Sequence, residues 1–379
     1  MPDDKPEILI IAYTDARTDP RVYRQAAHLR EYFKVTLLAR QAPDLPGIVF
    51  YQTESAVKSL CGKLFWAFNL LLGNSGPYLN KWRVERADKL AAQKFDLVLV
   101  NDANPLPLGF KLAKGAPVVF DAHEYYPAEF SGSLFWRLLF QRHYARLCRK
   151  FIPRCAALLT VSPGLAELYY KNFGVQAHLI HSAPDYEDLP VRPVQEKRIR
   201  LIHHGGASRD RRLEDTVAML DFLDERFTLD LMLVGNPDYV RELKALSAAN
   251  PRIFWREPVP MPQISQMINE YDVGVFLLPP ASENSINCLP NKLFEFIQAR
   301  LAVAVSPLPE MSRLVKAHDL GVVAEGFAPQ DMARALQSLG EAEVMRCKQN
   351  SQVAAGIYNA GAEMQRLAEI LVALLEEKN

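Results

Sequence analysis

Short apolar runs alternate with amphipathic stretches along this chain. The first run, residues 7–13, reads EILIIAY and suits a strand that is buried on both faces. Asp19 and Pro20 then predict a helix start, because Asp caps helix amides and Pro fits the first turn. The helix should run to about Tyr32, before a second strand at residues 34–39. This succession predicts one βαβ unit.

Apolar runs of the same kind continue along the chain and predict two parallel sheets. In the first half they cover residues 95–101, 117–121 and 157–161. In the second half we predict strands at residues 200–204, 229–234, 252–256, 273–278 and 302–306, a glycine turn at 205–206 and a helix at 213–226. Strands that alternate with helices in this way predict doubly wound, Rossmann-like α/β sheets.

A proline-rich stretch separates the two halves. Residues 183–197 read APDYEDLPVRPVQEK, which is polar, contains three prolines and suits a linker. A length of 379 residues also suits two domains better than one. We therefore predict Rossmann-like domains at residues 1–185 and 186–360, followed by an amphipathic helix within residues 361–379.

Composition narrows the classes of function. The 44 basic and 44 acidic residues give no net charge, so bulk attraction to nucleic acid is not expected. The cysteines form no C-x-x-C pair, which argues against a disulfide framework and a zinc site. The start of the chain does not read as a signal peptide, and the longest apolar run, residues 64–72, is too short to cross a bilayer. We expect a protein of a reducing, cytoplasmic compartment.

Residues 287–299, which read NCLPNKLFEFIQA, are the most informative segment. Pro290 suits the opening turn of a helix, and the apolar positions behind it recur at helical spacing. Lys292 and Glu295 fall on another face. Free amides around Pro290 and Asn291 form a site for a diphosphate. A carboxylate one turn further on can accept hydrogen bonds from two sugar hydroxyls.

This segment resembles the donor site of retaining GT-B glycosyltransferases, especially those of glycosyltransferase family 4. That family has an E-x7-E motif here, in which Glu295 matches the second glutamate and Asn287 stands in place of the first. The departure concerns the contact with the sugar, not the contact with the nucleotide. The resemblance implies a GT-B fold, with two Rossmann-like domains facing a central cleft. Residues 1–185 would bind the acceptor and 186–360 the nucleotide-sugar donor, and the last helix would cross back to the first domain.

Positive charge around the diphosphate is the chemical requirement of such a reaction, because the leaving group gathers negative charge. Lys292 is one such cation. Glycine at positions 205 and 206 lets the backbone approach a ligand closely, and arginines follow. In the family a basic residue follows the first strand of the second domain, and Arg211 matches it best. We predict that Gly206 and Arg211 belong to the donor site and that the neighbouring arginines are solvated.

Residues 120–125, which read FDAHEY, follow an apolar strand of the first half. Ligands of open α/β sheets bind beyond the carboxyl ends of strands, which is where His123 falls. The string is similar to the D-A-H-E segment of many bacterial members of the family, in which the histidine faces the cleft. His123 is the predicted catalytic residue, through a hydrogen bond that stabilises the transition state or orients the acceptor hydroxyl. The alternative is a structural histidine, and we interpret Asp121 and Glu124 as structural.

Simpler explanations exist for the donor residues. Glu295 lies within pairing reach of Lys292 and also gains from the helix dipole. Arg211 would be solvated if it only opened a helix. Asn287 suits a loop or a helix cap, and only its proximity supports Glu283 as a replacement for the missing carboxylate.

Residues 140–152 predict a basic amphipathic helix, and no acidic residue interrupts residues 133–155. Such a helix can lie on an anionic membrane. The alternative is that its apolar side packs on its own sheet while its arginines are solvated. Residues 58–94 form a second basic, aromatic-rich region. A peripheral location on the inner face of a membrane is therefore a hypothesis.

The resemblance implies a metal-independent, hexosyltransferase-type enzyme without a cofactor. It would move a sugar from a nucleotide-diphosphate sugar to a glycan or polyisoprenoid-linked acceptor, in the synthesis of a cell-surface polysaccharide or lipopolysaccharide. A GT-B sugar-nucleotide epimerase is a second hypothesis. A non-catalytic GT-B binding subunit is a third, which Asn287 keeps open. The sequence does not name the nucleotide base, the sugar, the acceptor or the linkage.

Overall fold

The computed structural model describes residues 5–55, 57–79, 81–129, 134–195 and 197–377. The chain forms two compact units. The first comprises Met1–His181, Ser282–Asn284 and Glu363–Asn379, and the second comprises Ser182–Ala281 and Ser285–Ala362. No helix in the described ranges is both long and apolar enough to span a bilayer.

The first unit is an α/β unit built on one sheet. Its elements up to residue 181 are β1 (Glu7–Ile11), α1 (Pro20–Leu29), β2 (Lys34–Ala39), β3 (Val49–Ser55), α2 (Leu60–Leu71), α3 (Gly76–Leu79), β4 (Trp82–Val84), α4 (Ala87–Ala92), β5 (Leu97–Asn101), α5 (Leu106–Ala113), β6 (Val118–Asp121), α6 (Leu134–Leu139), α7 (Gln141–Phe151), β7 (Ala157–Thr160), α8 (Pro163–Phe173) and β8 (Ala177–Leu179).

The sheet of the first unit has eight strands in the order β4-β3-β2-β1-β5-β6-β7-β8. All neighbouring strands are parallel except β3 and β4. Side chains of β1 alternate between two cores, Leu9 and Ile11 on one face and Ile8 and Ile10 on the other. The continuous apolar sequence of the strand follows from this burial on both faces.

The remaining elements follow in chain order. They are β9 (Ile199–Ala207), α9 (Leu213–Ala218), β10 (Phe227–Gly235), α10 (Pro237–Ser247), β11 (Ile253–Trp255), α11 (Ile264–Ile268), β12 (Val273–Phe276), α12 (Glu283–Ile286), α13 (Asn291–Gln298), β13 (Ala302–Val305), α14 (Pro309–Ala317), β14 (Gly321–Val323), α15 (Pro329–Gln337), α16 (Glu341–Ile357) and α17 (Ala360–Glu376).

The sheet of the second unit has six strands, all parallel, in the order β11-β10-β9-β12-β13-β14. Leu201 and Ile202 of β9 point into the two cores on its opposite faces. The order reverses between β9 and β12, and the helices that follow these strands cover both faces. The prediction of doubly wound parallel sheets is confirmed in both units.

The central strands and the capped first helix agree with the sequence prediction. The Asp19 side chain accepts hydrogen bonds from the amides of Arg21 and Val22, so α1 begins at Pro20 as predicted. Two local predictions are wrong. Gly205 and Gly206 are not a turn, because they pair with β10 inside β9. The helix predicted at residues 213–226 ends at Ala218 and continues only as a 3-10 segment.

Helix α7 packs its apolar side into the first unit rather than presenting it to the surroundings. Tyr144, Leu147, Cys148 and Phe151 are buried in the core beside β5 and β6. Of the two interpretations of residues 140–152, the structure supports the one in which the apolar side packs on its own sheet and the arginines are solvated. Its arginines at positions 142, 146 and 149 are exposed.

Helix α17 adds its last part to the first unit. Met364, Leu367 and Leu371 are buried in the same core as Ile8 and Ile10 of β1. Glu363, at the start of this part, accepts hydrogen bonds from the backbone amide and the Nδ1 of His181, each at 2.9 Å.

Candidate functional site

The carboxyl ends of β9 and β12 lie side by side at the centre of the second sheet. The strand order reverses between them, with β10 and β11 on one side and β13 and β14 on the other. Open α/β sheets bind ligands at such a switch point. His203, His204 and Gly205 lie near the end of β9, and Phe276 ends β12.

Helix α13 begins close to these strand ends. Pro290 occupies the N-cap position with φ of −74° and ψ of 150°, so the helix itself starts at Asn291, one residue later than the sequence suggested. Leu293, Phe296 and the two other apolar side chains of the helix are fully buried. The polar side chains of the helix are also buried from Lys292 onwards. The face predicted to be polar therefore lies inside the unit and not in bulk solvent.

Lys292 reaches the switch point from the first turn of α13. Its Nζ lies 3.3 Å from Nε2 of His203 and 4.2 Å from the ring centre of Phe276. A Cβ atom added to Gly205 would lie 3.4 Å from the same Nζ. Glycine at this position, with φ of +112°, therefore leaves room for the amine beside the strand.

No carboxylate neutralises this amine. Among the residues that the structure describes, no ion pair within 4.0 Å includes Lys292 or Arg211. Burial, and then the positive charge of Arg211, hold the pKa of Lys292 well below its usual value of 10.5, while Glu295 acts in the opposite direction. Two neighbouring cations without a paired anion form a site that an anionic ligand would stabilise.

His203 is held as a neutral ring with a defined tautomer. Its Nδ1 lies 2.9 Å from the carbonyl oxygen of Val275, to which it can only donate. Nε2 is then an acceptor for the Lys292 amine. Burial, and then the charge of Lys292, lower the pKa of His203 well below 6.5, which agrees with a neutral ring.

Glu295 lies one turn further along α13 and is 7% exposed. Its Oε2 is 3.4 Å from Nε2 of His204 without hydrogen-bond geometry. Burial, and then the charge of Lys292, lower the pKa of His204 to about 3, so this histidine is neutral. Its ring packs edge-on against Phe296, with the ring centres 5.2 Å apart. The carboxylate is thus nearly dry and lies beside a neutral histidine.

Arg211 behaves differently from the arginines beside it. Its Nη1 donates to the carbonyl oxygen of Gly206 at 3.1 Å, which turns the guanidinium towards the end of β9. Arg209 forms an ion pair with Glu242 at 2.6 Å, and Arg212 pairs with Asp215 at 3.0 Å. Both pairs lie at the surface. The structure therefore brings Gly206, Arg211, Lys292 and Glu295 together in the second unit.

The other predicted donor residues lie along the approach to α13. Asn287 directly follows α12 and is partly buried, as are Pro290 and Asn291 at the helix start. Glu283, the alternative carboxylate, is exposed and belongs to the first unit.

In the first unit His123 follows β6, and Asp102 follows the neighbouring strand β5. Nε2 of His123 lies 3.0 Å from Oδ1 of Asp102, and the Tyr126 hydroxyl donates to the same oxygen at 2.5 Å. Asp102 has φ of +68°, a left-handed conformation that a non-glycine residue rarely adopts. About a quarter of each of the His123 and Asp102 side chains is exposed, at 27% and 24%.

His123 is a cation at neutral pH. Burial alone would lower its pKa, but the attraction and hydrogen bond of Asp102 outweigh burial and raise the pKa from 6.5 to about 9. Its Nδ1 is buried and has no hydrogen-bond partner among the described residues. A protonated imidazole can only donate from this nitrogen. His123 is therefore arranged as a hydrogen-bond donor and not as a general base.

The carboxylates near His123 divide into two kinds. Asp121 is fully buried, and both of its oxygens accept hydrogen bonds from Arg21 at 2.6 Å, as a structural residue would. Burial raises the pKa of Glu124. Burial, and then repulsion from Glu124 and Asp102, raise the pKa of Glu129 to about 8. Glu129 is thus a neutral acid at pH 7.

Sequence reasoning missed Asp102, Tyr126, Glu129 and His203. Asp102 could have been found from the sequence, because it directly follows an apolar strand and therefore lies at the same sheet edge as His123. His203 was concealed because it lies within a strand that reads as apolar.

Residues 21–188 match the family model described as Glycosyltransferase Family 4. No curated protein sequence matches the chain. Among solved structures, WaaG, a glycosyltransferase involved in lipopolysaccharide biosynthesis, is similar with a TM-score of 0.65 and 13% identity, and the match covers 96% of this chain and 99% of WaaG.

Two further structures are similar over their full length. HepE from Anabaena, solved in complex with UDP-glucose, has a TM-score of 0.67 and 14% identity, covering 97% of this chain and 100% of HepE. Sucrose-phosphate synthase from Thermosynechococcus elongatus has a TM-score of 0.74 and 12% identity, covering 98% of this chain and 100% of the synthase. At these identities the similarity concerns the fold, and the predicted fold class, GT-B with two Rossmann-like sheets, is confirmed.

Proposed function

We propose that this chain, which has the GT-B fold and matches Glycosyltransferase Family 4 over residues 21–188, is a glycosyltransferase that takes its sugar from a nucleotide-diphosphate sugar. The observation that carries the proposal is the pair of cations at the switch point of the second sheet. Lys292 is buried and, like Arg211, has no paired carboxylate among the described residues. A diphosphate supplies the charge that this arrangement lacks.

Each donor residue then has a role. The amides around Pro290 and Asn291, together with Lys292, hold the diphosphate at the start of α13, where the helix dipole adds positive potential. Arg211 and the backbone at Gly206 hold its other side. Glu295 accepts hydrogen bonds from the ribose hydroxyls, for which a nearly dry carboxylate is well suited. Asn287 contacts the sugar.

His123 assists the reaction as a donor. Its protonated ring hydrogen-bonds a sugar hydroxyl and stabilises negative charge in the transition state. A base is not required of it, because departure of the nucleoside diphosphate generates the charge that the cations bind. We propose retention of configuration and independence of metal on the strength of the family match, with no added cofactor.

The acceptor is proposed to be a glycan or a polyisoprenoid-linked glycan of a cell-surface polysaccharide or lipopolysaccharide. WaaG is described as acting in lipopolysaccharide biosynthesis, and this supports the class of acceptor. UDP-sugars are the donors to test first, because HepE was solved with UDP-glucose. The enzyme would act in the cytoplasm, at the inner face of the membrane that carries the acceptor.

Thermal-shift measurements with UDP, GDP, ADP and CMP test the donor site. We expect one nucleotide to raise the melting temperature, and Glu295→Ala to abolish that shift while the variant still unfolds cooperatively. Glu242→Ala is the matched control, because Glu242 is an exposed glutamate whose ion pair with Arg209 lies at the surface. An undiminished shift in Glu295→Ala would contradict the assignment of the site.

Measurements of turnover distinguish a transferase from a non-catalytic binding subunit. The binding subunit is the alternative that Asn287 keeps open. Nucleotide release from the UDP-sugar is followed with and without an acceptor, in the presence of a chelator. A transferase releases nucleotide faster with acceptor. A chain that gives a thermal shift but no release under any acceptor is a binding subunit, and one that changes the sugar without acceptor is an epimerase.

A further inference from the structure

Helices α2 and α6 of the first unit present an apolar surface that the fold itself does not use. Six large side chains on it are each more than half exposed: Leu64, Phe65 and Phe68 on α2, and Leu134, Phe135 and Leu138 on α6. Of the twelve residues of α2, only Leu70 is buried. A helix that contributes one side chain to a core gains little from folding against it, so the apolar composition of α2 needs another explanation.

These side chains form one surface and not scattered positions. Leu64 and Phe68 are four residues apart on α2, and Leu134 and Leu138 are four apart on α6, which places each pair on one face of its helix. The two helices contact each other. We name this surface, defined by the six residues given above, the α2–α6 face. Contiguous apolar patches of this kind mark interaction sites.

The two chain segments that contain the α2–α6 face carry basic residues and no acidic ones. Residues 57–84 contain four basic and no acidic residues, and residues 134–155 contain six basic and no acidic residues. On α7 the exposed Arg142, Arg146 and Arg149 line a pocket of about 610 Å³ together with Tyr125 and Gln141. Arg146 also donates to the carbonyl oxygen of Gly73, at the end of α2, which joins the basic stripe to the apolar face.

Either a second copy of the chain or a membrane could cover this apolar face, and the charges beside it favour the membrane. A second copy of the chain would bring the same surface against itself, and the basic residues beside it would repel each other. An anionic bilayer can bind both kinds of side chain. Its acyl chains contact leucine and phenylalanine, and its phosphates bind arginine.

We infer that the α2–α6 face inserts into the surface of an anionic membrane, with Arg142, Arg146 and Arg149 of α7 binding lipid phosphates beside it. This extends the membrane part of the proposed function, but it rests on residues that take no part in the donor site. It also differs from the sequence-based hypothesis, in which the helix at residues 140–152 itself lies on the membrane. Here α7 keeps its apolar side in the core and contributes only charge.

Co-sedimentation with lipid vesicles tests this inference on the full chain. Vesicles of phosphatidylcholine alone are compared with vesicles that also contain phosphatidylglycerol, at low and high salt. We expect at least tenfold stronger binding to the anionic vesicles at low salt, and weaker binding at high salt because the charges are screened. Equal binding to both kinds of vesicle, or binding to neither, would overturn the inference.

Two test variants, each with a control, show which residues are responsible for vesicle binding. Leu64→Asp/Phe68→Asp should lose at least tenfold in vesicle binding, whereas Leu246→Asp, at a position 56% exposed on α10 of the second unit, should not. Arg142→Glu/Arg149→Glu should lose the preference for anionic lipid, whereas Arg241→Glu should keep it. All four positions substituted in the test variants are exposed, so the fold should persist.

The same variants separate the other outcomes. If Leu64→Asp/Phe68→Asp sediments with vesicles as well as the unchanged chain does, the assignment of the face is wrong. If the unchanged chain forms dimers in sedimentation velocity that this variant loses, and vesicles are not bound, the face joins two copies. The nucleotide-induced thermal shift is measured on each variant and should be unchanged, so failure here is distinct from failure of the donor site.

Discussion

Lys292 is an expensive residue to bury, and its surroundings do little to compensate. Its amine lies 3.3 Å from the neutral ring of His203, and Arg211 repels its charge while Glu295 attracts it. A buried amine without an anionic partner lowers the stability of a fold. This cost fits the proposed donor site, in which a ligand would bring a negative charge to the amine.

Lys292→Met should separate these two contributions. We expect the free variant to be at least as stable as the unchanged chain, since methionine has similar length and no charge to desolvate. UDP binding should weaken by at least tenfold, or about 1.4 kcal/mol. Thermal unfolding and calorimetric titration measure the two quantities. Loss of stability together with unchanged affinity would show that the lysine is structural.

The pH dependence of nucleotide binding follows from the same residue. Because the pKa of Lys292 is lowered in the free chain and a diphosphate would raise it, binding should take up a proton. Affinity should therefore rise as pH falls through the lowered pKa. Calorimetry in buffers of different ionisation enthalpy measures this proton uptake, and Lys292→Met should abolish it. An equal uptake in that variant would assign the proton to another group.

Asp102 sets the charge of His123. Because the pKa of His123 is raised from 6.5 to about 9, the ion pair stabilises the fold fully below pH 6.5 and loses its contribution as pH rises through about 9. In Asp102→Asn burial acts without the carboxylate, so the pKa of His123 should fall below 6.5. NMR titration of the histidine ring protons measures this directly. A pKa that stays near 9 would mean that another carboxylate holds the charge.

At the scale of elements, a close contact with β12 helps to position α13. Gly274 of this strand packs directly against the ring of Phe296, and a Cβ atom at residue 274 would collide with that ring. The ring is fully buried and has no space to move into. The strand thereby fixes the helix that carries Lys292 and Glu295.

Gly274→Ala should therefore destabilise the second unit by about 1–3 kcal/mol, because the added methyl group overpacks the core. UDP binding should weaken with it, since α13 has to shift. Gly356→Ala is the matched control, because a Cβ atom at that helical position meets nothing within 4 Å. It should stabilise by up to about 1 kcal/mol through helix propensity. Urea unfolding compares the two, and equal stabilities would contradict the packing argument.

The central elements have strong sequence patterns and were predicted, whereas elements with weak patterns were missed. The buried strands β1, β2 and β5 to β7 read as apolar runs, and α1 carries a complete capping signal. The strands β3, β4, β8 and β14, at or next to the sheet edges, were missed because they are short or half exposed and lack the continuous apolar sequence of a buried strand. Gly205 and Gly206 were mistaken for a turn, because a pair of glycines inside a strand reads like a turn in sequence.

The site was predictable where its residues lie close together in sequence. Lys292 and Glu295 share one helix turn, and Pro290 marks its start. His203 and Asp102 were not predicted, because their partners, Lys292 and His123, are distant in sequence and meet them only through the order of strands in the sheets. Contacts of that kind depend on topology, which local patterns do not encode.

At the scale of the molecule, the first unit depends on the last helix of the chain. Leu367 is fully buried against the face of the sheet that carries Ile8 and Ile10. Glu363 holds His181 through two hydrogen bonds. The final part of α17 is thus a component of the core and not an appendage.

Leu367→Ala should destabilise the first unit by about 2–5 kcal/mol through the cavity that it leaves. Hydrogen exchange followed by mass spectrometry should show faster exchange in peptides of β1 and β2, with β9 and β10 unchanged. Leu336→Ala is the mirror control, because this residue is equally buried in the second unit. It should accelerate β9 and β10 and leave β1 alone. Uniform acceleration in both variants would mean that the units unfold together.

The place of α17 in the first unit has a consequence for the order in which the ribosome delivers the chain. Ile8 and Ile10 emerge more than 300 residues before Met364, Leu367 and Leu371, which cover them. One face of the nascent sheet must therefore stay uncovered while the second unit is translated. Residues Ser285–Ala362, the last segment of the second unit, precede the closing segment of the first unit in the order of synthesis.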